Sequence, residues 1–234
     1  MVAELRNVVE MVEIKGKQFF SATSGALDGH MGLSNPAGRL AFFEKIGIDP
    51  KRVVDMGVIQ SNNVAVVDDE NAGSLMDGYD AIVTSSKNLP LALITADCLP
   101  IKIADPVHGS IALVHAGWRG LSLGIIRNTS DTMQRSFGSH AWDFNVSIGP
   151  HICQEHYEVK EDVSSLFGGK DVLKNEGKRE YLDLAKAAVA QFKILGLSES
   201  KIKIDPRCTF EDNSLFSYRR NKTSERFMSL LWMK

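Results

Sequence analysis

Two residues in this chain have the chemistry of a reactive site and a setting that could bring them together. Cys98 stands in Thr95-Ala96-Asp97-Cys98-Leu99-Pro100, and His115 in Val114-His115-Ala116-Gly117-Trp118-Arg119-Gly120. A thiol and an imidazole in contact can bind a soft or borderline metal such as zinc. They can also form a nucleophile–base pair, in which the imidazole favours the reactive thiolate. Taken singly, each has a plainer use, since a buried Cys is commonly a small core residue and a lone His a structural one. Their surroundings argue for chemistry. Asp97 puts a carboxylate where a pure core strand would not accept one. Gly117 and Gly120 bracket Trp118 and Arg119, so backbone can approach a ligand beside a flat ring and a cation.

The elements that must position these residues can be read from hydropathy. The apolar runs 91–94 and 111–114 read as buried strands ending at Thr95 and His115. Strand ends beside Gly-rich turns are where side chains converge on an open pocket. Residues 8–22 read as a pair of strands around the turn Lys15-Gly16-Lys17, and 23–34 as a Gly- and Ser-rich loop. Asn35-Pro36 starts a helix that runs to Ile46, with Leu40, Phe43 and Ile46 on one face and Gly47 as stop. Strands are expected at 53–58, 64–67, 81–84, 146–148, 201–204 and 228–232, and Asp68-Asp69-Glu70 as a solvated acidic turn. The spacing of Leu121, Ile125, Thr129 and Met133 predicts one helix ended by Gly138. Its N-terminal amides and Arg119 would favour an anion near His115; the plainer role for Arg119 is pairing with a local carboxylate. Helices are predicted over 159–167 and 182–195, the second with Leu184, Ala188, Phe192 and Leu195 inward and Gly196 as stop. Residues 207–220 form a polar loop containing Phe216, Tyr218 and paired arginines. Periodicity alone supports only an α+β or α/β fold.

Bulk properties narrow the class. The 234 residues fit one domain and can bury a sizeable core. A hydrophobic fraction of 44% and a charged fraction of 24% suit a soluble globular protein. A net charge of −2 without a basic block leaves no footprint for nucleic acid or a membrane surface. Cys98, Cys153 and Cys208 are widely spaced and make no Cys-x-x-Cys pair, which suits a reducing, cytoplasmic location. Glu4, Arg6 and Glu10 interrupt any signal-peptide core, and no apolar run is long enough to span a bilayer.

The two motifs resemble the signature of the YfiH-like family, whose members are also labelled polyphenol oxidoreductase "laccase" domain proteins and purine nucleoside phosphorylases. Further matches are Ile148-Gly149-Pro150-His151-Ile152 running to Tyr157-Glu158-Val159, Asp183-Leu184, Cys208-Thr209, and Phe216-Ser217-Tyr218-Arg219-Arg220. The resemblance covers nearly the whole chain, as a single domain, 1–234. It implies a mixed α/β, α+β layered sandwich of mixed sheets flanked by helices, similar to the catalytic domain of cytotoxic necrotizing factors. That kinship concerns the scaffold and not the chemistry.

The resemblance also implies a function: phosphorolysis of purine nucleosides such as adenosine, inosine or methylthioadenosine, with accompanying adenosine deamination, by a monomer or homodimer. Cys98 and His115 would activate the attacking group, with or without zinc. Arg119 and Arg219 would hold phosphate, Trp118 or Tyr218 would stack on the purine, and Gln60 and Asp97 would complete the substrate site. The family's third zinc ligand is a His in a Gln-Val-His-Gly-type motif. Here that stretch reads Gln60-Ser61-Asn62-Asn63-Val64, so Asn62 stands in its place. Asn offers only a harder, weaker carbonyl oxygen, so zinc is expected to bind weakly or not at all, unless His30, His151 or His156 substitutes. Two other readings stay open. One is a cysteine hydrolase or amidase acting on cell-wall peptides, with Cys98 as nucleophile, His115 as base and Asp97 as orienter. The other is a non-catalytic paralogue that keeps the pocket for binding. Copper-dependent phenol oxidation is not expected, because the six scattered histidines form no His-x-His motif.

Overall fold

In the computed structural model, which describes residues 9–168 and 171–234, the strands gather into two six-stranded sheets and one three-stranded sheet. The first sheet runs β1 (Val9–Ile14), β2 (Lys17–Thr23), β15 (Phe227–Met233), β7 (Leu91–Thr95), β3 (Val54–Gly57) and β5 (Leu75–Asp77). The second runs β14 (Ile202–Ile204), β10 (Asn145–Ile148), β8 (Leu99–Asp105), β9 (Ser110–Ala116), β6 (Ala81–Thr84) and β4 (Val64–Val66). Both mix parallel and antiparallel pairs. The small sheet is β11 (Glu158–Val159), β13 (Arg179–Leu182) and β12 (Leu173–Glu176). The helices used below are α1 (Pro36–Ile46), α2 (Trp118–Ser122), α3 (Ile125–Phe137), α4 (Glu161–Ser164), α5 (Leu184–Ile194) and α6 (Tyr218–Asn221).

The apolar residues sort these elements into four layers. Phe42 and Phe43 of α1 pack on Ala92, Met228, Leu230 and Trp232 of the first sheet. The other face of that sheet, through Val54, Leu91, Leu93 and Leu231, meets Ile82, Ala104, Ile111 and Leu113 of the second. The second sheet's far face, through Ile101, Ile103, Ala112 and Val114, is covered by Ile126, Met133, Ala188 and Phe192 of α3 and α5. Every residue of β8 and β9 is therefore buried. Alternation then fixes directions. Ile111 and Leu113 point between the sheets, so His115, two residues on, does too. This helix–sheet–sheet–helix order is the layered mixed α/β architecture implied by the resemblance. Among the described residues no helix is long and apolar enough to cross a membrane.

Local chemistry explains where elements start and stop. Asn35 caps α1 by accepting from the Gly38 amide at 3.2 Å, and Gly47 ends the helix at φ 71°. The inner face of α1 is Arg39, Phe42 and Phe43, while Leu40 is exposed. Arg39 turns inward because its guanidinium donates to Asp55 at 2.6 Å and to the Met31 carbonyl at 2.8 Å. The expected helix through Leu121 and Met133 is broken into α2 and α3 by Gly124 at φ 80°. The expected helix over 159–167 shrinks to α4, and β12 and β13 form a hairpin that hydropathy does not announce. Leu182 belongs to β13, and Asp183 caps α5 through the Lys186 amide at 2.8 Å. The loop 207–220 runs into α6, and Asp68-Asp69-Glu70 is an exposed turn with Asp69 paired to Arg52. Residue 8, and the Glu4 and Arg6 positions, lie outside the described residues.

Candidate active site

Strand register brings Cys98 and His115 together. β8 pairs with β9 so that Leu99 faces Ala116 and Pro100 faces His115. Cys98, one residue before Leu99, therefore falls beside Gly117, one residue after Ala116. A Cβ built on Gly117 would lie 3.0 Å from the Cys98 Sγ and 3.7 Å from the His115 Cε1. The absent side chain is what leaves room for the two groups to adjoin. They open into a cleft of about 960 Å³ between the sheets, lined also by Gln60, Thr95, Arg119, Tyr218 and Arg226.

A third residue, which the sequence reading missed, completes the constellation. Asp80, fully buried just before β6, lies 2.8 Å from His115 Nδ1 through its Oδ1. Its carboxylate also accepts from the amides of Gln60 and Ser61 and from the Ser61 hydroxyl. Burial works against the Asp80 charge, but these donors outweigh it and hold its carboxyl below the usual carboxylate range. Burial likewise opposes a charged His115. The neighbouring Cys98 and Asp80 outweigh it and raise the imidazole to about 9, so it carries its proton at neutral pH. Nδ1 is held by Asp80, which leaves Nε2 on the side of Cys98 and the cleft. The only signal for Asp80 in the sequence is an acid set directly against the apolar run Ala81-Ile82-Val83.

The structure brings together some expected residues and keeps others apart. Cys98, His115, Gln60, Arg119 and Tyr218 all line the cleft. The Arg119 guanidinium donates to the Gln60 side-chain carbonyl and lies 4.5 Å over the Trp118 ring. Asp97, Trp118, Arg219 and Asn62 do not line it. Asp97, at φ 99°, is buried and accepts from the Thr209 hydroxyl and the Arg219 amide, both at 2.7 Å. It locks the turn before Cys98, with each carboxylate oxygen engaged by a protein donor. It does not meet His115, whose orienter is Asp80. Trp118 packs against the helix-side core. The Arg219 guanidinium donates to the carbonyls of His156 and Glu158 and covers Tyr157, 4.8 Å from its ring. Tyr157, a neighbour of Cys98 and Asp97 that the sequence reading quoted in a motif without giving it a role, has its hydroxyl pKa pushed well up by burial.

The donor set can be tested against the metals that the resemblance raises. Catalytic zinc takes three protein ligands and a water. Cys98 and His115 supply two. Asn62 is turned away, its amide nitrogen donating to the Leu123 carbonyl at 2.7 Å, and the Gln60 carbonyl is engaged by Arg119. His151 is buried against the Gly149 carbonyl, His156 pairs with Glu211, and His30 contacts Ser34, so none is a cleft-lining substitute. The residues at this site do not fit a zinc ion. A multinuclear copper centre fits no better, because among the described residues no cluster of histidines forms.

Layered mixed sheets, with Cys98 and His115 opening on a cleft and the buried Asp80 behind His115, define the class of protein at hand. The chain belongs to the family described as "Multi-copper polyphenol oxidoreductase laccase", whose profile matches residues 36–234. It is 36% identical over 193 residues to a purine nucleoside phosphorylase of Corynebacterium glutamicum, covering 80% of this chain and 77% of the relative. It is 34% identical over 202 residues to a purine nucleoside phosphorylase of Mycobacterium tuberculosis, covering 85% and 79%. Among solved structures, YlmD from Geobacillus stearothermophilus superposes with a TM-score of 0.84 at 25% identity, over 94% of this chain and 92% of that one. The YfiH protein of Bacillus licheniformis has a TM-score of 0.85 at 22% identity, over 92% and 93%, a likeness of fold.

Proposed function

We propose that the cleft catalyses phosphorolysis of purine nucleosides, with inorganic phosphate as the second substrate. The observation that supports it most is His115, held by the buried Asp80 at 2.8 Å, in a cleft that also holds Arg119; its raised pKa favours the protonated form. Breaking an N-glycosidic bond leaves the electron pair on the purine, which departs well only if a ring nitrogen takes a proton. His115 Nε2 donates that proton, while a phosphate oxygen attacks the anomeric carbon and the C–N bond breaks. The products are the free base and the sugar 1-phosphate, and the imidazole regains its proton from solvent. Arg119 is the anion partner, its guanidinium held in place by Gln60 and Trp118. Tyr218, half-exposed on the cleft wall, is the stacking platform. A protonated imidazole gives protons better than it takes them, so adenosine deamination, which needs an activated water, runs slower than phosphorolysis here. Cys98 adjoins His115 and, with Asp80, favours its charged form against burial, and reduced thiols suit a cytoplasmic location.

The test is release of free base from inosine, adenosine and methylthioadenosine with and without phosphate. Base and sugar 1-phosphate should appear only with phosphate. Arg119→Ala should raise the phosphate KM by about ten-fold or more, a charge-assisted contact being worth ~1.5–3 kcal/mol. An unchanged phosphate dependence would move Arg119 to a structural role. A second reading draws on the same Asp80–His115–Cys98 order, which matches base orienter, base and nucleophile of a cysteine hydrolase. It predicts phosphate-independent amide cleavage abolished by thiol alkylation.

A further inference from the structure

We infer that Cys153, Cys208 and Glu211, with His156 beside them, form a second site that binds a zinc-like divalent cation, separate from the cleft. The sulfurs of Cys153 and Cys208 and a carboxylate oxygen of Glu211 all lie within 4.8 Å of one another. Two short knuckles present them. One is Cys153-Gln154-Glu155-His156, where Cys153 precedes a single 3-10 turn over Gln154–His156. The other is Cys208-Thr209-Phe210-Glu211, closed by the Glu211 amide donating to the Cys208 carbonyl at 3.1 Å. Each is therefore a Cys followed at the third position by a hard or borderline donor, the spacing by which zinc knuckles present two ligands from one turn. A parallel bridge between His151 and Cys208 clamps the two segments side by side.

The donor chemistry selects the ion. Two thiolates exclude calcium and magnesium, which take oxygen ligands, and suit zinc or its cobalt substitute. The surroundings already resemble a second coordination shell. The Cys153 amide donates to the Cys208 sulfur at 3.1 Å, as backbone amides do to a metal-bound thiolate. His156 Nε2 lies 3.0 Å from Glu211 Oε1, and its ring stacks on Phe210 at 4.2 Å, so the fourth donor stands next to the third. Cys208 is buried, Cys153 half-buried and Glu211 exposed, which gives an ion an entry side and a closed back. The site also touches the machinery of the cleft. Thr209 and Ile152, the residues adjoining Cys208 and Cys153, hold Asp97 through its carboxylate and its carbonyl, at 2.7 and 3.0 Å. Cation binding here would stiffen the turn that carries Cys98.

Cobalt is the probe, added to reduced Cys98→Ala protein so that the cleft thiol cannot contribute. A near-ultraviolet thiolate-to-cobalt band should appear at one cobalt per chain and bleach when zinc is added. Cys153→Ser in that background should abolish the band, and Glu211→Gln and His156→Ala should each weaken cobalt binding by about ten-fold or more. Zinc should also raise the melting temperature of Cys98→Ala protein but not of Cys98→Ala/Cys153→Ser. The proposal is overturned by no band and no zinc-dependent melting shift in Cys98→Ala, or by a band that survives Cys153→Ser. A Cys153–Cys208 disulfide that resists glutathione, leaving no thiols for the metal, would overturn it as well.

Discussion

His115 sets the pH behaviour of the proposed reaction. Its pKa, raised to about 9 by Cys98 and Asp80 against the effect of burial, keeps the donor form present through neutrality. Phosphorolysis should therefore hold to about pH 9 and fall above it as the proton is lost. Asp80→Asn removes one of the groups that raise the pKa, so the fall should move to lower pH and kcat should drop by at least about ten-fold. A pH–rate profile that stays level well above pH 9 would remove His115 as the proton donor. Because the folded state holds this proton more tightly than the unfolded chain, the associated stability is complete below ~6.5 and is lost as pH rises through about 9. Asn62 supports a second prediction at this scale. Asn62→His gives up the bond to the Leu123 carbonyl and offers an imidazole where the resemblance implies one. In a Cys153→Ser background, zinc affinity measured against a chromophoric chelator should rise by about ten-fold or more. No rise would mean the loop at Leu123 holds this position away from Cys98. Most of this constellation was legible. Cys98, His115 and Arg119 announced themselves as reactive or charged residues at or near strand ends, and Gln60 through the resemblance. Asp80 did not, because an acid before a strand looks like any turn residue until the fold sets it against a histidine 35 positions away.

At the scale of elements, what a short turn omits matters as much as what it carries. Gly117 joins β9 to α2 with φ −81° and ψ 176°, extended backbone open to any residue. Gly117→Ala should therefore fold with little change in melting temperature. Its methyl would press on the Cys98 Sγ at 3.0 Å and touch the His115 Cε1 at 3.7 Å, an ordinary contact, so the sulfur must shift and kcat should fall by about ten-fold or more. A variant with full activity would show that the two groups need not adjoin. The elements around this turn were legible where one local signal dominates: the Asn35 cap, the Gly47 stop, the buried runs that became β7 and β9. They were misread where the signal was absent or divided. Leu173-Lys174-Asn175-Glu176 and Arg179-Glu180-Tyr181-Leu182 pair as a mostly solvent-facing hairpin with no apolar alternation to reveal it. The helical spacing through Leu121 and Met133 is real on both sides of Gly124. Only a positive φ at that glycine breaks the axis, and hydropathy carries no record of it.

Across the whole molecule, one layer between two sheets does two opposed jobs. It buries Val54, Leu91, Ile111 and Leu113, and it also admits polar groups. At the cleft these are Asp80 and His115, which compensate one another. Along β8 the charge is Lys102, whose side chain points toward β2 and, among the described residues, bonds only the Thr23 hydroxyl, at 3.2 Å. Burial outweighs the attraction of Glu10 and Asp205 and lowers its pKa from 10.5 to about 8. The ammonium is still present at pH 7, so the fold carries a desolvation cost there on the order of 3 kcal/mol, each tenfold loss of proton affinity being worth ~1.4 kcal/mol. The folded state binds this proton less tightly than the unfolded chain. The cost is therefore complete below about pH 8 and is relieved as pH rises toward 10.5. Lys102→Met keeps the stem and removes the charge, and should stabilise the protein by ~1–3 kcal/mol at pH 7, with the gain shrinking above pH 8. Urea unfolding of both proteins at pH 7 and pH 9.5 measures it. A Lys102→Met protein less stable than the parent at pH 7 would mean that the bond to Thr23 and the field of Glu10 and Asp205 outweigh desolvation, and that the lysine holds the two sheets together.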